Sequence, residues 1–276
     1  MIIEFYKYQG TGNDFIIIDN RSSFFNPYQK NKKIISDLCN RKFGIGADGL
    51  ILLNKSKNYD FEMIYFNSDG TGNVMCGNGG RCIVAFANYL KIISRQTKFI
   101  AFDGEYNAQI NKKNKNVTNV SLEMQNVDNI EIIDDSDFFI NTGALHYIKF
   151  VENIKDLDVY NKARDIRFNK RFAKSGTNVD FVEIQKNHLF VRTYERGVEK
   201  ETLSCGTGAT ASAIAASLKM NLNDNLCFNI KTHGGNLNIS FRKNKNIFSD
   251  IWLKADVSKV FKGKIELYEC INRSPL

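Results

Sequence analysis

Two stretches decide the fold: YFNSDGTGNVMCGNGG at residues 65–80 and YERGVEKETLSCGTGA at residues 194–209. Laid over one another without a gap, at an offset of 129 residues, they set Tyr65 on Tyr194, Cys76 on Cys205, Gly77 on Gly206 and Gly79 on Gly208. Further on, after one residue of slip, Asp103-Gly104 falls on His233-Gly234, each opening a strand pair. Self-similarity at a fixed spacing marks a duplicated unit. Both stretches run into segments, CIVAFANYL and ATASAIAASL, that are apolar or small nearly all round. A helix apolar on every face is a buried helix.

Around these two helices, predicted for 77–93 and 206–219, the chain reads mostly as strand. Strands are predicted at 2–8, 15–19, 50–53, 60–67, 97–102, 105–110, 117–124, 138–151, 179–186, 188–195, 226–232, 236–242, 247–255 and 264–270, with lesser helices at 28–42 and 155–165. The expected fold is α/β (α+β): two pseudo-symmetric domains, each a curled mixed or antiparallel sheet around a central buried helix. Residues 1–118, completed by a returning C-terminal strand at 264–276, form the half that carries Cys76; residues 119–263 form the half that carries Cys205.

Composition narrows the function. The 276 residues suit one large or two medium domains, and 43% hydrophobic with 25% charged is the balance of a globular protein. The net charge of +8 comes from Lys and Arg scattered beside Asn, as in KNKK at 30–33 and NKKNKN at 111–116, which read as solvated tips from an AT-biased coding sequence. Nucleic acid is therefore not an expected partner. Neither is a membrane: no apolar run reaches the roughly 18–20 residues of a spanning helix. The start, MIIEFYKYQG, lacks a basic n-region with an apolar core, so a cytoplasmic location is expected. The six Cys form no C-x-x-C and the three His no H-E-x-x-H, so no metal is expected and the thiols should be reduced. Residues 44–49 fit G-x-G-x-x-G, yet a helix precedes them and a strand follows, the reverse of a dinucleotide site.

The chemistry lies at Cys76-Gly77-Asn78-Gly79-Gly80 and Cys205-Gly206-Thr207-Gly208. Each Cys stands just before a helix, where unpaired N–H groups and the positive dipole end favour an anion such as a thiolate or a carboxylate. The glycines let a ligand approach the backbone. One such thiol would pass as a buried structural Cys; a matched pair implies a symmetric site. Two proton-transfer groups, one a thiolate and the other a thiol, suit inversion at a carbon, with helix N-termini stabilising charge on an α-carboxylate. No electron-sink cofactor is needed for that chemistry. Among single residues, His146 in an apolar strand reads as core, and His188 and His233 as turn residues. Cys39, Cys82, Cys227 and Cys270 read as packing thiols. Asp14, Asp69 and Asp180 read as Asx-type turn residues.

GTGNDFIIID (10–19), FNSDGTGNVMCGNGGRC (66–82), GTNVDFVEI (176–184) and YERG…LSCGTGATA (194–211) together resemble diaminopimelate epimerase, over roughly Tyr8 to Ile239. The resemblance implies interconversion of LL- and meso-diaminopimelate in lysine and peptidoglycan precursor synthesis, without pyridoxal phosphate, metal or other cofactor, and commonly as a homodimer. It makes Cys76 and Cys205 the catalytic thiols, aided by His146 and Glu195. Asn13, Asn67 and Asn178 become substrate contacts. Gly77-Asn78 and Gly206-Thr207 would hold the α-carboxylate, and Glu195-Arg196 the distal end. Many relatives carry Asn-Pro-His or Ser-Pro-His after the glycine where this chain has Gly143-Ala144-Leu145-His146, and some carry Gln where it has Gly49. Two other readings stand beside this one: a proline or hydroxyproline racemase of similar architecture, and a non-catalytic amino-acid-binding or redox-sensing protein using the same two thiols.

Overall fold

In the computed structural model, residues 1–72 and 75–267 are described. The chain divides into two compact units, Met1–Leu122 with the segment from Asp256, and Glu123–Ala255.

The first unit opens with β1 (Ile2–Gly10) and β2 (Asn13–Asp19). Their two-residue turn puts Thr11 and Gly12 at φ 50° and 85°, the left-handed pair that matches strand twist in a tight hairpin. Then come α1 (Lys32–Cys39), β3 (Gly49–Asn54), β4 (Glu62–Asn67), α2 (Gly77–Tyr89), β5 (Gln96–Ala101), β6 (Gly104–Asn114) and β7 (Val117–Met124). The sheet order β1-β2-β3-β4-β5-β6-β7 continues to the last strand, β16 (Ile247–Glu266), whose second half pairs with β1 from Ile2↔Glu266 to Gly10↔Val257. Strand order thus returns to its start around α2. Every residue of α2 from Gly77 to Ala87 is buried.

The second unit holds β8 (Ile130–Ile132), β9 (Asp137–Asn141), β10 (Leu145–Phe150), α3 (Val159–Arg167), β11 (Asn178–Gln185), β12 (His188–Glu195), β13 (Lys200–Thr202), α4 (Gly206–Lys219), β14 (Asp224–Thr232), β15 (Gly235–Asn244) and the first half of β16. Its order is β16-β15-β14-β12-β11-β10-β9-β8, with β13 on β12. Reciprocal backbone bonds between Val127, just ahead of β8, and Phe248 of β16 close this ring as well (2.9 and 2.8 Å). The alanines of α4 pack with Ile148, Val182, Ile239 and Leu253 inside it. Burying each such aliphatic side chain contributes about 1.5–3 kcal/mol.

The mixed sheets around buried helices match the expected fold class, and several elements differ in detail. Helix 28–42 is only Lys32–Cys39, because Asn31 caps it by accepting from the backbone N–H of Lys33 and Ile34. The single strand expected at 138–151 is the hairpin β9–β10, folded at Gly143 with φ 95°. Helix 155–165 begins as a 3-10 turn, Ile154–Asp156, ahead of α3. The segments 247–255 and 264–270 are parts of one long strand as far as Glu266; residues 268–276, with Cys270, lie outside the described residues. The repeat also needs a second residue of slip. Ala101 pairs with Gly104 and Thr232 with Gly235, and these two glycines share φ 141° and 142°, so Gly104 corresponds to Gly235 and not to Gly234.

Candidate active site

The two Cys-Gly-x-Gly segments do the same thing to the backbone. Cys76 caps α2 at φ −117°, ψ 115°, and Cys205 caps α4 at φ −117°, ψ 119°. Both sulfurs belong to partly buried residues. Gly77-Asn78 and Gly206-Thr207 supply the first turn of each helix, where N–H groups lack intrahelical partners.

In the first unit, Gly79 N–H donates to the Cys76 sulfur at 3.5 Å, and the thiol reaches Asn13 Oδ1 at 3.6 Å. Asn13, at the exit of the β1–β2 turn, also accepts from Asn78 Nδ2 (3.3 Å) and donates to Asp48 (2.8 Å). Asn67 ends β4 and bonds elsewhere: its Oδ1 accepts from the Tyr65 hydroxyl and its Nδ2 donates to Thr71 Oγ1, each at 3.0 Å. Behind Asn78 lies a residue the sequence reading passed over. The Arg81 guanidinium, 0% exposed, donates through Nη2 to Asn78 Oδ1 (2.9 Å) and Thr11 Oγ1 (3.2 Å).

In the second unit the cap is acidic. Asp180 Oδ2 lies 2.6 Å from His146 Nδ1, and Asp180 Oδ1 accepts from the Thr193 hydroxyl at 2.6 Å. His146 Nε2 lies 2.9 Å from Thr207 Oγ1, which lies 3.3 Å from the Cys205 sulfur. Asp180 and His146 are fully buried. An unbroken polar line, Asp180–His146–Thr207–Cys205, therefore ends on the thiol. With Asp180 accepting from Nδ1–H, Nε2 is the acceptor for Thr207. Burial first, then the charges of Glu195 and Asp180, push the Cys205 thiol well above its ordinary value. Gly208 permits the approach: a Cβ there would stand 2.4 Å from Asp180 Oδ1. Glu195 accepts from the Thr202 hydroxyl. Asn178 accepts the Arg196 backbone N–H (2.8 Å) and donates to Leu145 O (3.2 Å), while the Arg196 guanidinium donates to Ser175 O (2.8 Å).

Several single-residue expectations change. Asp180 sits in β11 against His146 and not in a turn, and His146 is a core residue that is also linked through Thr207 to Cys205. Asp14 lies in β2, where Arg41 and Lys7 hold its carboxyl well below the usual carboxylate range. Asp69 does form an Asx turn, accepting from Thr71 N–H at 2.8 Å. His188 is half-buried, with a buried Nε2. Cys227 is exposed and bonds Asn238 Nδ2 (3.1 Å), whereas Cys39 and Cys82 are core thiols. Gly49 is forced: a Cβ would meet the Tyr65 ring at 2.5 Å and Phe66 O at 2.7 Å, so no larger residue fits as the chain stands. The Gly143–His146 turn is tied to α4 by Thr142 Oγ1, which donates to Thr207 O at 3.0 Å. Asp180 and Arg81 each had a visible signal, a charge inside an otherwise apolar strand or helix, that a one-residue reading discounts.

Comparison with known proteins closes the identification. The family profile described as diaminopimelate epimerase matches residues 5–129 and 138–251. A diaminopimelate epimerase from Flavobacterium psychrophilum is 49% identical over 95% of this chain and 100% of its own. Among solved structures, a phenazine biosynthesis protein of the PhzF family from Bacillus anthracis superposes with TM-score 0.73 at 12% identity, covering 96% of this chain and 99% of that one. A hydroxyproline epimerase from Agrobacterium vitis gives 0.68 at 11%, over 96% and 92%. These two likenesses are of fold. With matched thiol caps in each unit and a profile spanning nearly the whole chain, this protein belongs to the diaminopimelate epimerase family.

Proposed function

We propose that the chain interconverts LL- and meso-diaminopimelate by a two-base mechanism in which Cys76 and Cys205 serve opposite faces of one α-carbon. The observation that carries the reading is the pair of cysteine helix caps with the same backbone geometry. One sulfur, as thiolate, takes the α-proton; the other, as thiol, delivers a proton to the opposite face, and the roles exchange on reversal. In this reading the N–H groups of Gly77-Asn78 and Gly206-Thr207 stabilise negative charge that develops on the α-carboxylate. Cys205, held protonated, is suited to the acid role in the resting enzyme, with Thr207 and His146 taking up its proton when it must become the base. Glu195 and Asp180 hold that side acidic. Asn13, Asn67, Asn178 and Arg196 contact the substrate, Arg196 by turning its fork to the distal carboxylate. No helix among the described residues is long and apolar enough to cross a membrane. The reading takes the protein as a cytoplasmic homodimer acting on a small molecule, without nucleic acid, metal or cofactor.

The test is LL-diaminopimelate in heavy water with purified protein and no addition. The expected result is the meso form carrying solvent deuterium at one α-carbon. Conversion without deuterium would remove the proton-transfer mechanism, and turnover of L-proline in its place would select the racemase alternative.

A further inference from the structure

Arg81 is placed where stability alone would not put it. It is fully buried and lies in the first two turns of α2, the end whose dipole repels a cation. Among the described residues no carboxylate pairs with it, and its Nε and Nη1 have no hydrogen-bond partner. A buried charge without a counter-ion costs several kcal/mol, and stranded donors add to that. The carboxylates of the neighbouring strands are already matched, Asp14 by Lys7 (2.7 Å) and Arg41 (2.6 Å), and Asp48 by Arg41 (2.7 Å). The ionisable groups on or against α2 include Cys82 and the partly exposed Tyr89 on the helix itself, and the buried Tyr6 and Tyr8 on β1, whose rings meet Phe86 at 4.8 and 5.9 Å. Burial pushes the Cys82 and Tyr8 groups up, which leaves both neutral. Burial also pulls Arg81 down to about 10, with the thiols of Cys82 and Cys76 acting against that pull, so it stays protonated at neutral pH. A group in reach that can become an anion is the Cys76 sulfur, two amides away: Arg81 Nη2 donates to Asn78 Oδ1 (2.9 Å), Asn78 Nδ2 donates to Asn13 Oδ1 (3.3 Å), and the Cys76 thiol donates to that same oxygen (3.6 Å).

We propose that Arg81 is the fixed buried counter-cation of the Cys76 thiolate, a positioning residue that anchors Asn78 and, through its charge, offsets the preference of the Asn13 oxygen for the protonated sulfur. This deepens the two-thiol reading and rests on it for its catalytic meaning. The test itself needs no turnover. Rates of iodoacetamide alkylation at Cys76 and Cys205 are followed against pH by peptide mass spectrometry, in wild type, Arg81→Gln and Arg81→Lys, with thermal melts confirming folded protein. An opposite charge nearby lowers an acidic group by about 1–3 pH units. The Cys76 midpoint should therefore rise by about one unit or more in Arg81→Gln and return toward wild type in Arg81→Lys, with the Cys205 midpoint unmoved. Equal Cys76 profiles in folded Gln and Lys variants would overturn the proposal. So would a wild-type Cys76 midpoint at or above the ordinary thiol value of about 8.5, which needs no variant at all. Loss of the deuterium signal in the wild type would strike the epimerase reading and leave these titrations standing.

Discussion

The two helix caps share backbone and differ in charge. At α2 the cap cysteine is backed by amides and a buried guanidinium; at α4 it is backed by an aspartate–histidine pair and a glutamate. Duplication explains the shared part, since matched Cys-Gly-x-Gly segments build matched helix starts. The unshared part suits a reaction that needs one thiolate and one thiol at a time. A fully symmetric pair would have no resting preference between the two protonation states; opposite surroundings supply one.

That comparison can be broken in several ways. The largest expected effect is from Cys76→Ala and Cys205→Ala, each of which should abolish epimerisation, a fall of more than about 10³-fold by the deuterium assay. Near-full activity in either would show that the caps are not equivalent in function. Next, Asp180→Asn leaves the shape of the relay and removes its charge, so kcat should fall about 10²-fold while the Cys205 alkylation midpoint moves down. An unchanged pH profile would make Asp180 a packing residue. Third, Gly208→Ala drives a methyl to within 2.4 Å of Oδ1 of the Asp180 carboxylate, which Thr193 and His146 pin by its two oxygens, whereas Gly79→Ala meets the side-chain ends of Ile51 at 3.1 Å and Met63 at 3.3 Å. The Gly208 variant should lose the larger share of both activity and melting temperature. The smallest effect is on stability in alkali. Burial raises Cys82 and Cys205, and Cys39 to about 12. Their contribution is complete below the unfolded thiol value of about 8.5. Above it the unfolded chain gives up protons that the folded chain keeps, at a loss of up to roughly 1.4 kcal/mol per thiol and pH unit. Melts between pH 8 and 10.5 should show the decline, and Cys82→Ala should flatten it.

Much of this was legible in the residues. The register of Tyr65 with Tyr194 and Cys76 with Cys205, followed by all-round apolar segments, implied a helix-centred pair of sheets, and α4 runs over the predicted 206–219. Strand alternation found most of the ladder, because period-two burial is written locally. What local pattern missed was set by partners distant in sequence. The short β8 and β13 are strands only because β9 and β12 lie beside them. Val127 closes a ring with Phe248, 121 positions away, which no window of a dozen residues contains. Asp180 looks like a turn former until β10 brings His146 opposite its strand, and Arg81 looks like one charge in a helix until the surrounding strands bury it.

By itself, then, the order of residues determined which two cysteines start helices, which glycines clear their approaches and which family's chemistry they fit. Those are matters of short-range backbone preference and of identity. The tertiary structure alone decided the electrical character of each cap. The field at a sulfur depends on which charges folding brings near it and how much water it removes, and neither is written within a few residues of Cys76 or Cys205.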